Sequence, residues 1–318
     1  MKRTTYPIHP DFKKWENINP PLNPLLIKPL QWLIGLLFHQ QKSDDLIDVQ
    51  KVKISTFDHK IITALRYIPK GIKENAPCLV YCHGGGYVLP AAPHHFLLAR
   101  RYALEVECQV LLIGYRLAPR YRFPIAPRDC FAGYEWVLDH AKELSIDPTR
   151  IGVGGDSAGG CLASIISQMA KDHILEDKTI KMPCLQLLIY PATGVNQASE
   201  SMDKYVDTPL CNTQDMKKYA KYYSSLEIHN YPFYYEPIHA PSFTDLPVSY
   251  VETAEFDCLR DHGIFYAKKL ERDGVNVVLN NTVGTIHGFD IELKSEIVKE
   301  CIRRRVSFLR KYFSIDRP

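Results

Sequence analysis

The sequence predicts an α/β fold in which a mostly parallel central sheet carries helices on both faces. Short apolar runs alternate along the chain with longer segments of helical spacing. This alternation implies crossover connections between strands, which make neighbouring strands parallel. No repeat at a fixed period is visible, which excludes a solenoid. The 318 residues, 46% of them hydrophobic, suffice for a large buried core.

The individual elements follow from length and periodicity. Strands are predicted at 61–68, 78–82, 109–113, 150–154, 184–190, 248–253 and 275–279. Helices are predicted between and after them, at 94–107, 125–144, 157–172, 261–272 and 295–313. In a sheet of this kind the ligand site is expected at the carboxyl ends of the strands.

Two segments do not follow the alternation. Residues 1–45 are rich in proline, and residues 196–240 are polar and aromatic. An insertion of this length between two strands far exceeds the usual α/β connection. We therefore expect 1–45 and 196–240 to form the two parts of a helical cap. The core would then consist of residues 46–195 and 241–318.

Charge and cysteine content restrict the class of protein. The formal net charge is only +3 and the basic residues are scattered, apart from the run 303–305, so nucleic-acid binding is not expected. Nine cysteines, an odd number without zinc-type spacing, predict no metal and no other cofactor. They favour a reducing compartment, and with no secretory signal at the start we expect a cytoplasmic protein.

The most apolar stretch lies at residues 25–38. Lys28 and Pro29 interrupt it, and it is shorter than the ~20 residues needed to cross a bilayer. An amphipathic helix is the better interpretation, so a membrane partner is unlikely. Association with a membrane through this stretch remains the alternative.

A serine stands at a sharp corner of the chain. Residues Gly155 to Gly159 fit the pattern G-x-S-x-G around Ser157, directly after the predicted strand 150–154 and directly before a helical pattern. Such a corner presents a nucleophilic hydroxyl at the edge of the sheet. The alternative is a glycine-rich turn closed by a helix-capping serine.

A nucleophilic serine needs a base and a carboxylate that orients the base. His287 follows the last predicted strand in a glycine-flanked loop, whereas His262 lies within a helical pattern with a solvated or capping role. Asp257 lies just beyond the predicted strand 248–253, with Glu255 and Asp261 as rivals. The chain order Ser, Asp, His is one that such triads use.

The sequence HGGGY at 83–87 supplies the remaining requirement. The oxyanion of a tetrahedral intermediate needs backbone N–H groups that no side chain obstructs. This run follows a strand and precedes a helix, from where it can reach the serine corner. The alternative is a flexible linker.

These motifs together resemble the hormone-sensitive-lipase-like carboxylesterases, bacterial family IV of the α/β-hydrolase fold. The resemblance runs from about residue 79 to 289 and includes YRLAP, GGDSAGG and HGF. It implies Ser157 as nucleophile, His287 as base and Asp257 as its orienting acid. The implied oxyanion donors are the N–H groups of Gly84, Gly85, Gly86 and Ala158.

The resemblance also implies the reaction and the substrate class. We expect hydrolysis of short-chain or aromatic carboxylic esters through an acyl-enzyme, with a small-molecule ester as partner. A homodimer is the candidate assembly. Tyr87, Asp156 and Tyr190 are candidates for substrate contact, although a packing role is the alternative for any single tyrosine. The rival functions are an amide deacylase or peptidase on the same scaffold, and a non-catalytic ligand receptor.

Overall fold

Eight strands, distributed along the chain, form one β-sheet. The structure, a computed structural model, describes residues 4–20, 22–176, 180–194 and 196–313. The described residues form the strands β1 (Ile47–Ser55), β2 (Ile61–Pro69), β3 (Ala76–Cys82), β4 (Gln109–Gly114), β5 (Ile146–Asp156), β6 (Leu185–Ile189), β7 (Val248–Phe256) and β8 (Val277–Ile286). Their order in the sheet is β1-β2-β4-β3-β5-β6-β7-β8. β1 pairs antiparallel with β2, and β2 with β4, while the other neighbours are parallel.

Helices cover both faces of this sheet. Their bounds are α1 (Pro24–His39), α2 (Pro93–Val106), α3 (Ile125–Asp139), α4 (Ala158–Glu176), α5 (Glu200–Lys204), α6 (Thr213–Tyr223), α7 (Pro232–Tyr235), α8 (Arg260–Arg272) and α9 (Glu296–Phe313). α2 packs on α9, and α3 packs on α4. The predicted α/β class, with a mostly parallel sheet between helices, is confirmed.

The central strands explain why the sequence alternation was readable. Every residue of β3 and β6 is buried, and apart from Gln186 both strands appear as apolar runs, as expected for parallel strands covered on both faces. The edge strand β1 was not predicted, because only Ile47 and Ile54 of its residues are buried. β8 lies at the other edge and continues to Ile286, well beyond the predicted 275–279, because its residues 280–285 are mostly polar and show no apolar run. α3 ends at Asp139, earlier than the predicted residue 144.

The two predicted cap segments, 1–45 and 196–240, contact each other. The Leu210 N–H donates to the Ile18 carbonyl over 2.8 Å, and the Tyr222 hydroxyl of α6 donates to the Leu22 carbonyl over 3.2 Å. The predicted amphipathic helix at 25–38 is present as α1. Residues 1–3, 21, 177–179, 195 and 314–318 of the predicted domains lie outside the described residues. No helix of the described ranges is long and apolar enough to span a bilayer.

The corner between β5 and α4 has no room for side chains at its two glycines. Ser157 has a φ of 55°, in the left-handed region that non-glycine residues rarely adopt. A Cβ on Gly155 would lie 2.4 Å from the Cys82 carbonyl oxygen, and one on Gly159 would lie 2.0 Å from it. The absence of side chains at these two glycines therefore lets α4 begin directly against the end of β3.

We predict that Gly159→Ala destabilises the protein by about 2 kcal/mol or more, because the added methyl group meets backbone that cannot move aside. Urea unfolding monitored by circular dichroism measures the change. Gly35→Ala in α1 is the matched control, since a Cβ there meets nothing within 4 Å. That substitution should be neutral or stabilising by up to about 1 kcal/mol. Equal stability of the two variants would contradict the steric account.

Candidate active site

Three side chains from the carboxyl ends of three strands converge. Ser157 follows β5, Asp257 follows β7 and His287 follows β8. The Ser157 Oγ lies 2.8 Å from the His287 Nε2, and the His287 Nδ1 lies 2.8 Å from the Asp257 Oδ2. All three side chains are buried. The geometry thus brings together the serine, histidine and aspartate that the sequence singled out.

Backbone hydrogen bonds hold the serine and the aspartate in place. The Ser157 N–H donates to the Ile189 carbonyl over 2.8 Å, and the Ala192 N–H donates to the Ser157 carbonyl over 3.2 Å. The Asp257 Oδ1 accepts the N–H of Leu259 over 2.8 Å, which leaves Oδ2 for His287. Because a carboxylate only accepts, the His287 Nδ1 carries the proton of that hydrogen bond.

The electrostatic surroundings of His287 favour its protonated form. Burial would lower the pKa of the imidazole, but the facing Asp257 carboxylate outweighs burial and raises that pKa to about 9. In the neutral form the proton stays on Nδ1, so that Nε2 is free to accept the Ser157 hydroxyl proton. The site therefore has a base whose charge depends on pH.

The alternative base and the two alternative acids that the sequence offered do not contact Ser157 through the hydrogen bonds that they make. His262 is fully buried in α8 and its Nε2 bonds to the Gln197 carbonyl over 2.9 Å, so the expected solvated role is wrong. Glu255 accepts the N–H of Gly284 over 2.7 Å. Asp261 stands in the first turn of α8, where its Oδ2 accepts the Ser201 N–H over 2.8 Å. None of these three hydrogen bonds leads to Ser157.

The glycine loop follows β3 and divides into two parts. The Gly84 N–H donates to the Asp156 Oδ1 over 3.2 Å, so it is already used within the protein. The N–H groups of Gly85 and Gly86 have no acceptor among the described residues. Both glycines have positive φ, at 113° and 61°. Ala158 opens α4, so its N–H has no partner within the helix.

Asp156 anchors this loop from beneath. Its carboxylate accepts the Tyr81 hydroxyl over 3.0 Å and lies 3.1 Å from the His95 Nε2. Burial would raise the pKa of Asp156, but His95 and the hydrogen bonds lower it below its usual range, so the group is ionised. We therefore reassign Asp156 from the expected substrate contact to support of the Gly84 amide. His95, which the sequence did not single out, completes the support.

One group of side chains has the composition of a metal site. Ligand atoms of His94, His95 and Asp156 all lie within 4.8 Å of one another. The rings of His94 and His95 have centroids 3.9 Å apart and are tilted by 38°, and the His95 Nδ1 accepts the Ala92 N–H over 2.8 Å. The His95 Nε2 therefore carries a proton toward Asp156, so hydrogen bonding accounts for the contact between His95 and Asp156.

A buried charge cluster lies behind His287. The Arg305 guanidinium of α9 bonds to Glu252 of β7 and, over 2.9 Å, to the Asp290 Oδ2. The Tyr190 hydroxyl donates to the same Asp290 oxygen over 2.9 Å, and its ring packs edge-on against His287 at 4.9 Å between centroids. Tyr190 is fully buried, so we reassign it from substrate contact to support of the histidine loop. Burial raises the pKa of Asp290.

Aromatic side chains close over the glycine loop. Tyr87 stacks on Tyr223 at 3.9 Å between centroids, and Tyr223 stacks on Tyr235 at 5.8 Å. Tyr219 of α6 lies over Gly86, because a Cβ built there would lie 2.3 Å from its ring. A cavity of about 10 Å³, room for roughly one water molecule, remains between the residues Tyr87, Met216, Tyr219, Ala220, Tyr223 and Tyr235.

A serine, an aspartate and a histidine in this chain order at strand ends, beside free amides, is the arrangement of α/β serine hydrolases. A family model described as alpha/beta hydrolase fold matches residues 79–291. Esterase LipI of Mycobacterium tuberculosis is 35% identical over 68% of this chain and 67% of its own length. An arylesterase of Saccharolobus solfataricus is 30% identical over 88% of this chain and 86% of its own.

Solved structures agree. A bacterial heroin esterase superposes with a TM-score of 0.86 at 29% identity, covering 96% of this chain and 98% of that one. The chain belongs to the α/β-hydrolase family, in its hormone-sensitive-lipase-like group. The resemblance inferred from the sequence motifs is confirmed.

We predict that Arg305→Met destabilises the protein by about 3–5 kcal/mol, because it leaves the Glu252 and Asp290 carboxylates buried without a counter-charge. Chemical denaturation measures the free energy of unfolding. Arg304→Met is the matched control, since that arginine is half exposed and pairs only with Glu300 on the helix surface. It should change stability by less than about 0.5 kcal/mol. Similar losses in both variants would rule out a special role for the buried cluster.

Proposed function

We propose that this carboxylic ester hydrolase is a serine esterase whose triad is Ser157, His287 and Asp257. The observation that carries the proposal is the continuous pair of hydrogen bonds, each 2.8 Å, from the Ser157 Oγ through His287 to Asp257. A serine hydroxyl becomes nucleophilic when a positioned base removes its proton, and this chain of contacts provides that base.

The first half-reaction forms an acyl-enzyme. The Ser157 Oγ attacks the ester carbonyl carbon while the His287 Nε2 takes the hydroxyl proton. The C–O bond to the alcohol then breaks, and the alcohol leaves with the proton returned by His287. Asp257 keeps the imidazole in the required tautomer and stabilises its positive charge.

The second half-reaction releases the acid. His287 takes a proton from water, and the resulting hydroxide attacks the acyl carbon. The bond to the Ser157 Oγ breaks and the serine recovers its proton from His287. The enzyme returns to its starting state with one ester and one water converted into acid and alcohol.

The oxyanion of both tetrahedral intermediates would be bound by the amides of Gly85, Gly86 and Ala158. Among the described residues these amides have no acceptor, whereas the Gly84 amide is held by Asp156. We therefore propose three donors rather than the four expected from the sequence. Loss of one such donor typically costs ~100- to 1000-fold in turnover.

The size of the aromatic cavity supports small substrates. The segments 1–45 and 196–240 would act as a cap, with Tyr219 set against Gly86. Short acyl groups and slender aromatic esters need the least displacement of these tyrosines. All nine cysteines are free thiols, which supports a reducing compartment such as the cytoplasm.

The decisive comparison is between esters and amides. We expect the wild type to hydrolyse p-nitrophenyl acetate, and Ser157→Ala to lose on the order of 10⁵–10⁶-fold in kcat. Hydrolysis of the matched p-nitroanilide should be slow, since an amide leaving group needs stronger activation. Rapid anilide turnover would favour an amide deacylase or a peptidase instead.

Ser164→Ala is the matched control for Ser157→Ala. Ser164 is a buried serine about two turns further along α4, where its hydroxyl donates to the Cys161 carbonyl over 2.7 Å. It should retain most of the activity. If neither ester nor anilide is hydrolysed by the wild type, and the protein nevertheless binds such molecules, the receptor alternative would replace the esterase.

The pH dependence follows from His287. Its imidazole must be neutral to accept the Ser157 proton, and its pKa is raised to about 9, so kcat/KM should rise with pH and level off only above about 9. Asp257→Asn removes the charge that raises this pKa, so the residual activity should level off at a lower pH. The profile is measured as kcat/KM against pH, after subtraction at each pH of the hydrolysis rate seen with Ser157→Ala. A wild-type profile that is flat from neutral pH upward would contradict the raised pKa.

Tyr219 should limit the size of the substrate. Tyr219→Ala removes the ring beside Gly86 and should raise kcat/KM for p-nitrophenyl hexanoate relative to the acetate by about 10-fold or more. Tyr222→Ala is the control on the same helix, because the Tyr222 hydroxyl bonds to the Leu22 carbonyl instead. An unchanged chain-length profile in Tyr219→Ala would show that the tyrosine does not bound the pocket.

A further inference from the structure

Helix α1 presents an entirely apolar face to solvent. Its exposed large side chains, with their exposed fractions, are Leu25 at 84%, Leu26 at 51%, Trp32 at 68%, Leu33 at 58% and Leu36 at 37%. At 100° per residue these positions occupy about one third of the helix circumference. Isolated exposed leucines are common on proteins, but a contiguous patch of this kind marks an interaction surface.

The opposite face fixes how the helix is oriented. Ile27 and Phe38 are buried against the core. The Gln31 side-chain amide donates to the carbonyls of Val88 and Ala118, each over 2.7 Å. A rotation of α1 that buried its outer face would break both hydrogen bonds. The exposure of the apolar face is therefore a property of the folded chain.

Helix α1 itself lies beside the proposed active site. The Val88 carbonyl accepts the hydrogen bond from Gln31 of α1, and Val88 is two residues beyond Gly86 in the glycine loop. The Leu22 carbonyl, just before α1, accepts a hydrogen bond from the Tyr222 hydroxyl of α6, the helix that also carries Tyr219. A surface bound by α1 would thus be close to the cap tyrosines.

The area of the face argues against a second copy of the chain as its occupant. α1 has 16 residues, which makes it about 24 Å long, and its outer face is roughly 10 Å wide. The resulting footprint of some 240 Å² is well below the about 800 Å² per partner of a stable protein interface. A bilayer surface needs no complementary shape and can accept a single helix.

The charge of α1 indicates which surface it fits. Its only charged or titratable residues are Lys28 and His39, and it carries no acidic side chain. Interfacial helices combine leucine and tryptophan on one face with basic residues beside it. We propose that the outer face of α1 binds the protein to the surface of a phospholipid bilayer containing anionic lipid. This proposal goes beyond the proposed hydrolysis and is independent of it.

Vesicle co-sedimentation tests the proposal. The full chain is mixed with unilamellar vesicles of equal parts phosphatidylcholine and phosphatidylglycerol, and bound protein is measured in the pellet. The wild type should co-sediment with the vesicles. The double variant Leu25→Gln/Leu33→Gln should bind them at least about 10-fold more weakly. Both variant positions are exposed, so the fold should be unaffected.

Leu46→Gln is the matched control. Leu46 is 59% exposed, close to the 58% of Leu33, but it lies near Asn75 and Arg150, at the amino ends of the parallel strands and opposite the site. This variant should bind vesicles as the wild type does. Hydrolysis of soluble p-nitrophenyl acetate, measured in parallel, should be unchanged in all variants, which separates a failure of membrane binding from a failure of the esterase.

Three outcomes would overturn the proposal. The wild type could remain in the supernatant, the double variant could sediment like the wild type, or Leu46→Gln could lose as much binding as the double variant. Sedimentation velocity tests the remaining alternative, a dimer in which a second copy of the chain covers the apolar face. If the wild type fails to bind vesicles and is a dimer that Leu25→Gln/Leu33→Gln dissociates, a second copy covers the face instead of lipid.

Discussion

The close approach of α4 to the end of β3 is the constraint on which the site depends. Gly159 lies so near the Cys82 carbonyl that no side chain fits between them, and Ser157 takes a left-handed φ to make the corner. This approach places the Ser157 hydroxyl and the Ala158 amide next to the loop that leaves β3. One backbone contact therefore sets the nucleophile and the Ala158 amide against the loop that carries the other proposed oxyanion donors.

Buried polar groups fix the other components around that corner. Asp156 holds the glycine loop through the Gly84 amide, and Arg305 holds the histidine loop through Asp290. Such groups are costly to bury unless they are paired, so each pairing also specifies one arrangement of the loop above it. The protein uses its buried charges next to the reacting groups, where a small displacement would separate the Ser157 Oγ from the His287 Nε2.

The sequence predicted the parts of this site that have local signals. Ser157 lies in a short motif between a strand and a helix, and Asp257 and His287 follow recognisable strands. Supporting residues were missed because their partners are distant in sequence. Arg305 was considered only as part of the basic run 303–305, although its spacing of seven from the buried Val298 places it on the inner face of α9. β1 was missed because an edge strand with few buried residues lacks an apolar pattern. Tyr190 and Asp156 were assigned to substrate contact since sequence alone does not tell which way a side chain points.

The central claim is that the Ser157 hydroxyl is the one that becomes acylated. Peptide mass spectrometry after reaction with an alkyl p-nitrophenyl phosphonate, which forms a stable adduct with an activated serine, tests it most directly. The account predicts a single adduct on the peptide containing Ser157, and no adduct at any serine in His287→Ala, whose serine lacks its base. An adduct on another serine, or equal labelling in His287→Ala, would contradict it.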